Sequence, residues 1–186
     1  MDIRIVKTKK AIKEAFLQFR FKKALDKITV KEICRTAQIN KSTFYSHYSD
    51  IYALSEEVEK ETVEYILNGI SQNREYSTDN PQEFAREICM TCISHLPLTE
   101  LLFAGQENSR LADRLEEGIK EMIYQKYPEY RNDVNKNILL SFCIQGAHHA
   151  YLSNRSADPE LLVQNIETII KKLQPLYEKS DGRDEA

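Results

Sequence analysis

The chain has 186 residues, of which 30% are charged, and it contains only five Gly, five Pro and four Cys. This length allows a small domain and one larger domain, and the scarcity of Gly and Pro favours an all-α protein. The sequence has no apolar run near the roughly 20 residues of a membrane span, no signal-peptide core and no secreted disulfide framework. We therefore expect a cytoplasmic protein.

The net charge of −3 is unevenly distributed along the chain. Residues 1–50 contain 12 Lys and Arg against 5 Asp and Glu, whereas residues 51–186 contain 14 against 24. A basic N-terminal module on an acidic body is the distribution that phosphate binding at one end requires.

The first predicted helix covers residues 8–25. Its apolar stripe consists of Ala11, Ile12, Ala15, Phe16 and Phe19. Ahead of the stripe, Lys7, Lys9 and Lys10 are predicted to form an arm that reaches the DNA backbone or minor groove. Alternatively, each of these lysines only solvates the helix.

Residues 29–48 predict two short helices around a tight turn. Thr29 is a suitable N-cap, and Glu32 three positions later completes a capping box. The turn is centred on Gln38, and Asn40 is a suitable N-cap for the second helix. In the first of these two short helices, one face carries Val30, Ile33, Cys34 and Ala37.

The second of these helices separates apolar from polar groups. Phe44 and Tyr48 stand four residues apart and are predicted to face inward. The exposed N-terminal end, where a recognition helix meets base edges, carries Lys41, Ser42 and Thr43. Tyr45 and His47 lie where side chains can donate to phosphate oxygens. The pattern favours a DNA-binding helix-turn-helix over a surface hairpin with a polar tip.

Residues 8–54 resemble the DNA-binding domain of the TetR family of bacterial transcriptional regulators. The resemblance covers between a quarter and a third of the chain. It rests on Thr29, Ile33, Ala37, Ile39, Thr43-Phe44-Tyr45, His47-Tyr48 and Leu54. It implies a homodimeric repressor that binds a palindromic double-stranded operator and responds to a small-molecule effector. The positions it implies for DNA contact are Thr29, Lys41, Ser42, Thr43, Tyr45 and His47.

Two positions depart from the family pattern. The family usually has Gly in the turn, where this chain has Gln38, and a positive φ at a non-Gly residue costs roughly 1 kcal/mol. The family also has a phosphate-binding Lys at the start of the fourth helix, where this chain has Ile51 after Asp50. We therefore expect one phosphate contact to be missing. A non-DNA-binding protein–protein adaptor on the same fold is the alternative that these departures favour.

The remaining chain predicts further helices. We expect a helix over residues 50–69, a loop over 71–81, a helix over 82–95, a short apolar segment over 98–104 that ends at Gly105, and a helix from Ser109 to Pro128. The predicted domains are a helix-turn-helix domain over residues 1–49, an effector-binding and dimerisation domain over 50–178, and a flexible tail over 179–186.

The last two predicted helices, residues 132–153 and a helix capped by Asp158-Pro159, carry broad apolar faces. Such faces fit either an ordinary core or a subunit interface. In TetR-like proteins this helix pair forms a four-helix bundle with its two-fold mate, which implies a homodimer through residues 132–177.

Other candidate sites give weaker signals. Apolar residues suited to a hydrophobic effector, or equally to any core, are Phe84, Leu101, Phe103, Leu115 and Tyr124, with His148 as a pocket-lining candidate. Cys89, Cys92 and His95 could begin a metal or redox site, although buried packing is the more common role of cysteine. No catalytic motif is present, so we expect neither an enzyme nor a cofactor.

Overall fold

The computed structural model describes residues 3–71, 80–103 and 108–178. Within them, the regular secondary structure is entirely helical. The α-helices are α1 (Ile3–Arg20), α2 (Val30–Thr36), α3 (Lys41–Tyr45), α4 (Ile51–Ser71), α5 (Pro81–Ser94), α6 (Leu96–Leu102), α7 (Asn108–Lys126), α8 (Val134–Ser153) and α9 (Pro159–Glu178). Short 3-10 turns occupy Leu25–Lys27 and Pro128–Asn132. The predicted all-α class is confirmed.

The first helix differs from its prediction at both ends, because it begins at Ile3 and ends at Arg20. Thr8, where the sequence predicted the start, lies inside the helix, and its hydroxyl donates to the Arg4 carbonyl at 2.9 Å. The hydroxyl therefore bonds back along the helix instead of capping it. Lys7, Lys9 and Lys10 all lie within this helix, and their contact with a DNA backbone or minor groove stays a prediction.

The later helices follow the predictions closely. Asp133 caps α8, since its carboxylate accepts from the Lys136 amide at 3.0 Å. Asp158 caps α9 in the same way, accepting from the Leu161 amide at 3.0 Å. The predicted loop over residues 71–81 and the predicted tail over 179–186 lie largely outside the described residues. No helix in the described residues is long and apolar enough to cross a membrane.

The chain divides into two compact units, one within Met1–Thr62 and Pro97–Ala104, the other within Val63–Leu96 and Gly105–Ala186. The predicted boundary at residues 49–50 falls inside the first unit and stays a prediction. The core of the first unit includes the fully buried side chains of Ile12, Phe16, Ile33, Phe44, Leu54, Leu102 and Phe103. Residues 97–103, which include most of α6, group with this unit.

The link between α1 and α6 within the first unit is a buried arginine. Arg20 is 8% exposed, and its Nη2 atom donates to the carbonyls of Leu101 at 2.5 Å and Leu102 at 3.3 Å. The last carbonyls of a helix lack intrahelical partners and carry the negative end of the helix dipole. The guanidinium therefore satisfies two carbonyls at the C-terminal end of α6, one part-buried and one buried.

In the second unit, α5 packs along α9. Ala85, Ile166 and Ile170 form a buried cluster, with Cys89 and Cys143 packed against it. At its edge, Arg86 reaches two α9 carboxylates, Glu160 at 2.6 Å and Glu167 at 3.1 Å.

Candidate nucleic-acid interface

The capping box at the start of α2 is present as predicted. The Glu32 amide donates to the Thr29 hydroxyl at 3.3 Å, and the Thr29 amide donates to the Glu32 carboxylate at 3.0 Å. Lys23 also donates to this carboxylate, at 2.8 Å. These hydrogen bonds, the one from Lys23 first, lower the pKa of Glu32 to about 2 from 4.5. The start of the helix-turn-helix is therefore fixed by a charged cap.

The turn between α2 and α3 has the strained geometry that the sequence predicted. Gln38 has a φ of 56°, the only positive φ at a non-Gly position within the described residues. The Ile39 amide donates to the Cys34 carbonyl at 3.0 Å, and the Gln38 amide donates to the Arg35 carbonyl at 3.4 Å. This pair of hydrogen bonds is a Schellman motif, which places the residue after the C-cap in the left-handed region. A glutamine thus occupies a backbone position that favours glycine.

Helix α3 has five residues and is held by a cap outside and two rings inside. Asn40 Oδ1 accepts from the Thr43 amide at 2.7 Å and from its hydroxyl at 2.9 Å. Phe44 is fully buried and Tyr48 is 4% exposed, with 5.7 Å between their ring centroids. This packing fixes which residues of the helix face solvent.

Of the six predicted DNA-contact residues, four lie on α3, His47 follows it and Thr29 caps α2, and the six differ in accessibility. Lys41, Ser42 and Tyr45 are exposed, and the Tyr45 side chain is 54% exposed. Thr43 and His47 are half-buried. The hydroxyl of Thr43 donates to the Asn40 cap, and that of Thr29 donates to Glu32 at 2.7 Å. Lys41, Ser42 and Tyr45 therefore offer the most accessible side-chain groups to a nucleic acid.

The start of α4 has no accessible cation. The Ile51 side chain is only 7% exposed, and the carboxylate of Asp50 accepts from the Ala53 amide at 2.8 Å. The residue in place of the family lysine thus packs in the core, and the group that caps the helix is an anion. The hydroxyl of Tyr52, which is 62% exposed, and the backbone amides remain as donors for a phosphate at this helix start.

Sequence reasoning missed two cations on α2. Lys31 and Arg35 stand four residues apart and are exposed, opposite the buried Ile33 and Cys34. Because the first helix of a helix-turn-helix crosses the DNA backbone, exposed cations on it can bind phosphates. The spacing that identified the buried face could have found them, since i and i+4 share a helix face.

The candidate metal or redox residues do not form a ligand set. His95 Nδ1 donates to the Thr91 carbonyl at 2.8 Å, and burial raises the pKa of Cys89 to about 11 and that of Cys92 to about 12. Both thiols are therefore protonated near neutral pH, whereas metal ligation and redox exchange use the thiolate. No group of three or more His, Cys, Asp or Glu able to hold a metal occurs in the parts of the chain that the structure describes.

The predicted effector residues are divided between the two units. Leu101 and the buried Phe103 belong to the first unit. The other four belong to the second unit and are Phe84, Leu115, Tyr124 and His148. Tyr124 donates its hydroxyl to Asn137, and Leu115 lies in the core at 4% exposure. Burial, and then the neighbouring His149, lowers the pKa of His148. The role of these residues in binding stays a prediction.

The outer faces of α8 and α9 carry exposed apolar side chains. On α8, Val134, Ile138 and Phe142 recur every four residues and are 70%, 63% and 64% exposed. On α9, Leu161, Ile169 and Leu176 are 54%, 55% and 53% exposed. The apolar residues that the sequence shows on α8 and α9 thus lie on two faces. One face is buried in the core, and the outer face is exposed to solvent in the single chain.

No protein-family model matches the chain, but solved structures do. A TetR/AcrR-family transcriptional regulator from Aquifex aeolicus VF5 has a TM-score of 0.61 at 18% identity, over 89% of this chain and 99% of that one. A TetR-family regulator from Syntrophomonas wolfei has a TM-score of 0.64 at 15% identity, over 90% and 94%. The chain has the TetR-family fold.

A third TetR-fold structure, from Shewanella sp. PV-4, has a TM-score of 0.58 at 13% identity, over 90% of this chain and 95% of that one. Among curated proteins, YxbF of Bacillus subtilis strain 168, an uncharacterized HTH-type transcriptional regulator, is 27% identical over 106 residues. That match covers 55% of this chain but only 28% of YxbF. The sequence-based resemblance and the fold of these structures therefore agree.

Proposed function

We propose that the chain is a TetR-family transcriptional regulator that binds double-stranded DNA and acts as a homodimeric repressor. The observation that carries the proposal is the geometry of α3. Phe44 is buried on its inner side together with Tyr48, which follows the helix, and Lys41, Ser42 and Tyr45 are exposed on its outer side. This is the arrangement of a recognition helix, which presents polar side chains at its N-terminal end to the major groove.

The uneven charge distribution along the chain supports DNA as the binding partner. A DNA-binding function in turn favours a cytoplasmic location. The balance of +7 over residues 1–50 contrasts with −10 over residues 51–186. Exposed cations on α2 and α3, namely Lys31, Arg35 and Lys41, supply positive charge next to the groups that would read bases. Since phosphate contacts supply most non-specific affinity, this module would carry the salt-dependent part of binding.

A homodimer through residues 132–177 accounts for the outer faces of α8 and α9. Large side chains such as Ile138, Phe142 and Ile169 are more than half exposed in the single chain. Exposed contiguous apolar surface commonly marks an interface. In a two-fold dimer, two α3 helices about one DNA turn apart (roughly 34 Å) would read a palindromic operator.

Control by a small molecule would act through the second unit. The candidate lining residues in that unit are Phe84, Leu115, Tyr124 and His148, whereas the predicted effector residues Leu101 and Phe103 belong to the first unit. A ligand that favoured one arrangement of the helices would change operator affinity by the coupling free energy, typically about 1–3 kcal/mol. Repression, rather than activation, is the output that the family resemblance favours.

The second candidate function is a protein–protein adaptor on the same fold, with no role in catalysis. It is favoured by the anionic cap Asp50 and the buried Ile51, which leave the start of α4 without a cation. An adaptor would bind duplex DNA weakly or not at all, so DNA affinity and its salt dependence separate the two candidates.

Two substitutions in α3 test the site. Lys41→Ala should lower the affinity for a selected duplex. It should also reduce the slope of log K against log salt by about 1 for each phosphate that is no longer neutralised. Tyr45→Phe should weaken binding to all sequences. Lys126→Ala is the matched control, because this exposed lysine lies at the end of α7. If both α3 variants bind as tightly as the parent, the assignment of the recognition helix is wrong.

A further inference from the structure

One carboxylate connects three elements behind the recognition helix. Glu57 of α4 accepts hydrogen bonds from Lys9 of α1 at 2.9 Å and from the hydroxyl of Tyr48 at 3.1 Å. It also lies 2.6 Å from the Nζ atom of Lys13 on α1. Lys13 makes a second ion pair with Glu61 at 2.5 Å. The Glu57 cluster is defined here as Lys9, Lys13, Tyr48, Glu57 and Glu61.

Tyr48 is the member of the Glu57 cluster that bears on DNA recognition. It follows α3 by three positions, and the five residues of α3 are far fewer than the roughly 12 that an isolated helix needs for stability. The direction of α3 therefore depends on its packing, which is supplied by the buried rings of Phe44 and Tyr48. The hydroxyl of Tyr48 adds a directional bond to α4 that ring packing alone does not give.

The Glu57 cluster also removes two lysines from the charge available to DNA. The side chains of Lys9, Lys13 and Glu57 are 33%, 18% and 29% exposed, so these pairs are less screened by salt than surface pairs. Burial alone would raise the pKa of Glu57, but hydrogen bonds from Lys13 and Lys9 outweigh it and lower that pKa. Glu57 is therefore ionised at neutral pH, and the charges of Lys9 and Lys13 are balanced by Glu57 and Glu61.

We propose that Glu57 is a positioning residue for operator recognition, which orients α3 through Tyr48 while it keeps Lys9 and Lys13 from phosphates. The inference rests on the proposed DNA-binding function. Its consequence is that Glu57 contributes to sequence discrimination and opposes non-specific affinity. A residue that only stabilised the fold would change both kinds of binding in the same direction.

Three variants separate the effect of Glu57 on the orientation of α3 from its effect on the positive charge available to DNA. Glu57→Gln removes the charged acceptor from Tyr48 and frees positive charge, so non-specific affinity should rise while the ratio of operator to random-duplex affinity falls about fivefold or more. Glu61→Gln is the matched control, because it makes the same charge change one turn along α4 but receives no hydrogen bond from Tyr48 among the described contacts. It should raise non-specific affinity and leave the ratio within about twofold.

Tyr48→Phe provides the complementary test, since it removes the hydroxyl and keeps all the ion pairs. It should lower the ratio as Glu57→Gln does, without raising non-specific affinity. It also keeps the proposal testable if Glu57→Gln fails to fold. Affinities would be measured by fluorescence anisotropy with the full-length protein, a selected operator duplex and a random duplex of equal length.

Each outcome has a defined meaning. A fall in the ratio for Glu57→Gln and Tyr48→Phe, but not for Glu61→Gln, supports the positioning role. Equal behaviour of the two glutamine variants, or an unchanged ratio in Tyr48→Phe, overturns it while DNA binding by the parent still stands. If the parent binds neither duplex at low salt, the proposed function itself fails, and the positioning role fails with it.

Discussion

Replacing Gln38 with glycine should stabilise the protein, although glycine usually destabilises an ordered backbone. Gln38 has a φ of 56°, and the left-handed conformation costs an L-residue about 1–2 kcal/mol. Glycine removes this cost but loses about 0.5–1 kcal/mol more conformational entropy on folding. The expected net gain in the free energy of unfolding is therefore about 0.5 kcal/mol.

Arg35→Gly provides a matched control three residues earlier. Arg35 is also exposed but lies within α2, where glycine costs about 1 kcal/mol. The two glycine variants should therefore differ by about 1.5 kcal/mol in the free energy of unfolding, with Gln38→Gly the more stable. At about 2–4 °C per kcal/mol for a chain of this size, the midpoints should differ by about 3–6 °C.

Calorimetry of the full-length variants measures this difference directly. Gln38→Asn should fall between the parent and Gln38→Gly, because asparagine tolerates the left-handed region better than glutamine does. If Gln38→Gly destabilises the protein as much as Arg35→Gly, the turn is not strained at this residue and the reasoning is refuted.

Three further substitutions test the charged cap of α2, the hydrogen bonds between Arg20 and α6, and the proposed dimer interface. Glu32 has a folded-state pKa of about 2, below its ordinary value of 4.5. The stability that its carboxylate contributes is therefore present above pH 4.5 and is lost as the pH falls towards 2. Glu32→Gln should reduce this loss of stability in acid, whereas Glu14→Gln should not. Arg20→Met should lower the free energy of unfolding by about 1–3 kcal/mol, because the part-buried carbonyl of Leu101 and the buried carbonyl of Leu102 lose their donor. Exposed Arg35→Met should change it by less than about 0.5 kcal/mol. Phe142→Asp should raise the dissociation constant of the proposed dimer at least about 100-fold, since each protomer loses an apolar side chain worth about 1.5–3 kcal/mol.

The measurements for these substitutions are direct. Urea unfolding from pH 2.5 to 7 tests Glu32, and a parallel loss in both glutamate variants would contradict the charged cap. Thermal unfolding tests Arg20, where a change as small as that of Arg35→Met would show that the link to α6 contributes little. Sedimentation equilibrium tests Phe142, and an undiminished dimer would place the interface elsewhere.

The helix-turn-helix could be predicted in detail because its signals are local. The capping box at Thr29, the left-handed turn at Gln38 and the inward pair Phe44 and Tyr48 all depend on residues within about four positions of each other. Each was visible as a spacing in the sequence, and each is present in the structure. The all-helical fold class could be predicted for the same reason.

The parts that sequence did not reveal depend on contacts between distant residues. Lys9 was predicted to lie in a DNA-binding arm, but it pairs with Glu57, which lies 48 positions away. Arg20 was not singled out, because its acceptors are main-chain carbonyls of Leu101 and Leu102. Neither contact leaves a periodic pattern in the sequence.

Operator binding can be tested by selecting duplexes from a random pool with the purified protein and then titrating the selected sequence with salt. Operator binding by a homodimer predicts a palindromic motif with half-sites about one helical turn apart and a steep loss of affinity as salt rises. A folded, helical protein that enriches no sequence would contradict the account and favour the adaptor function instead.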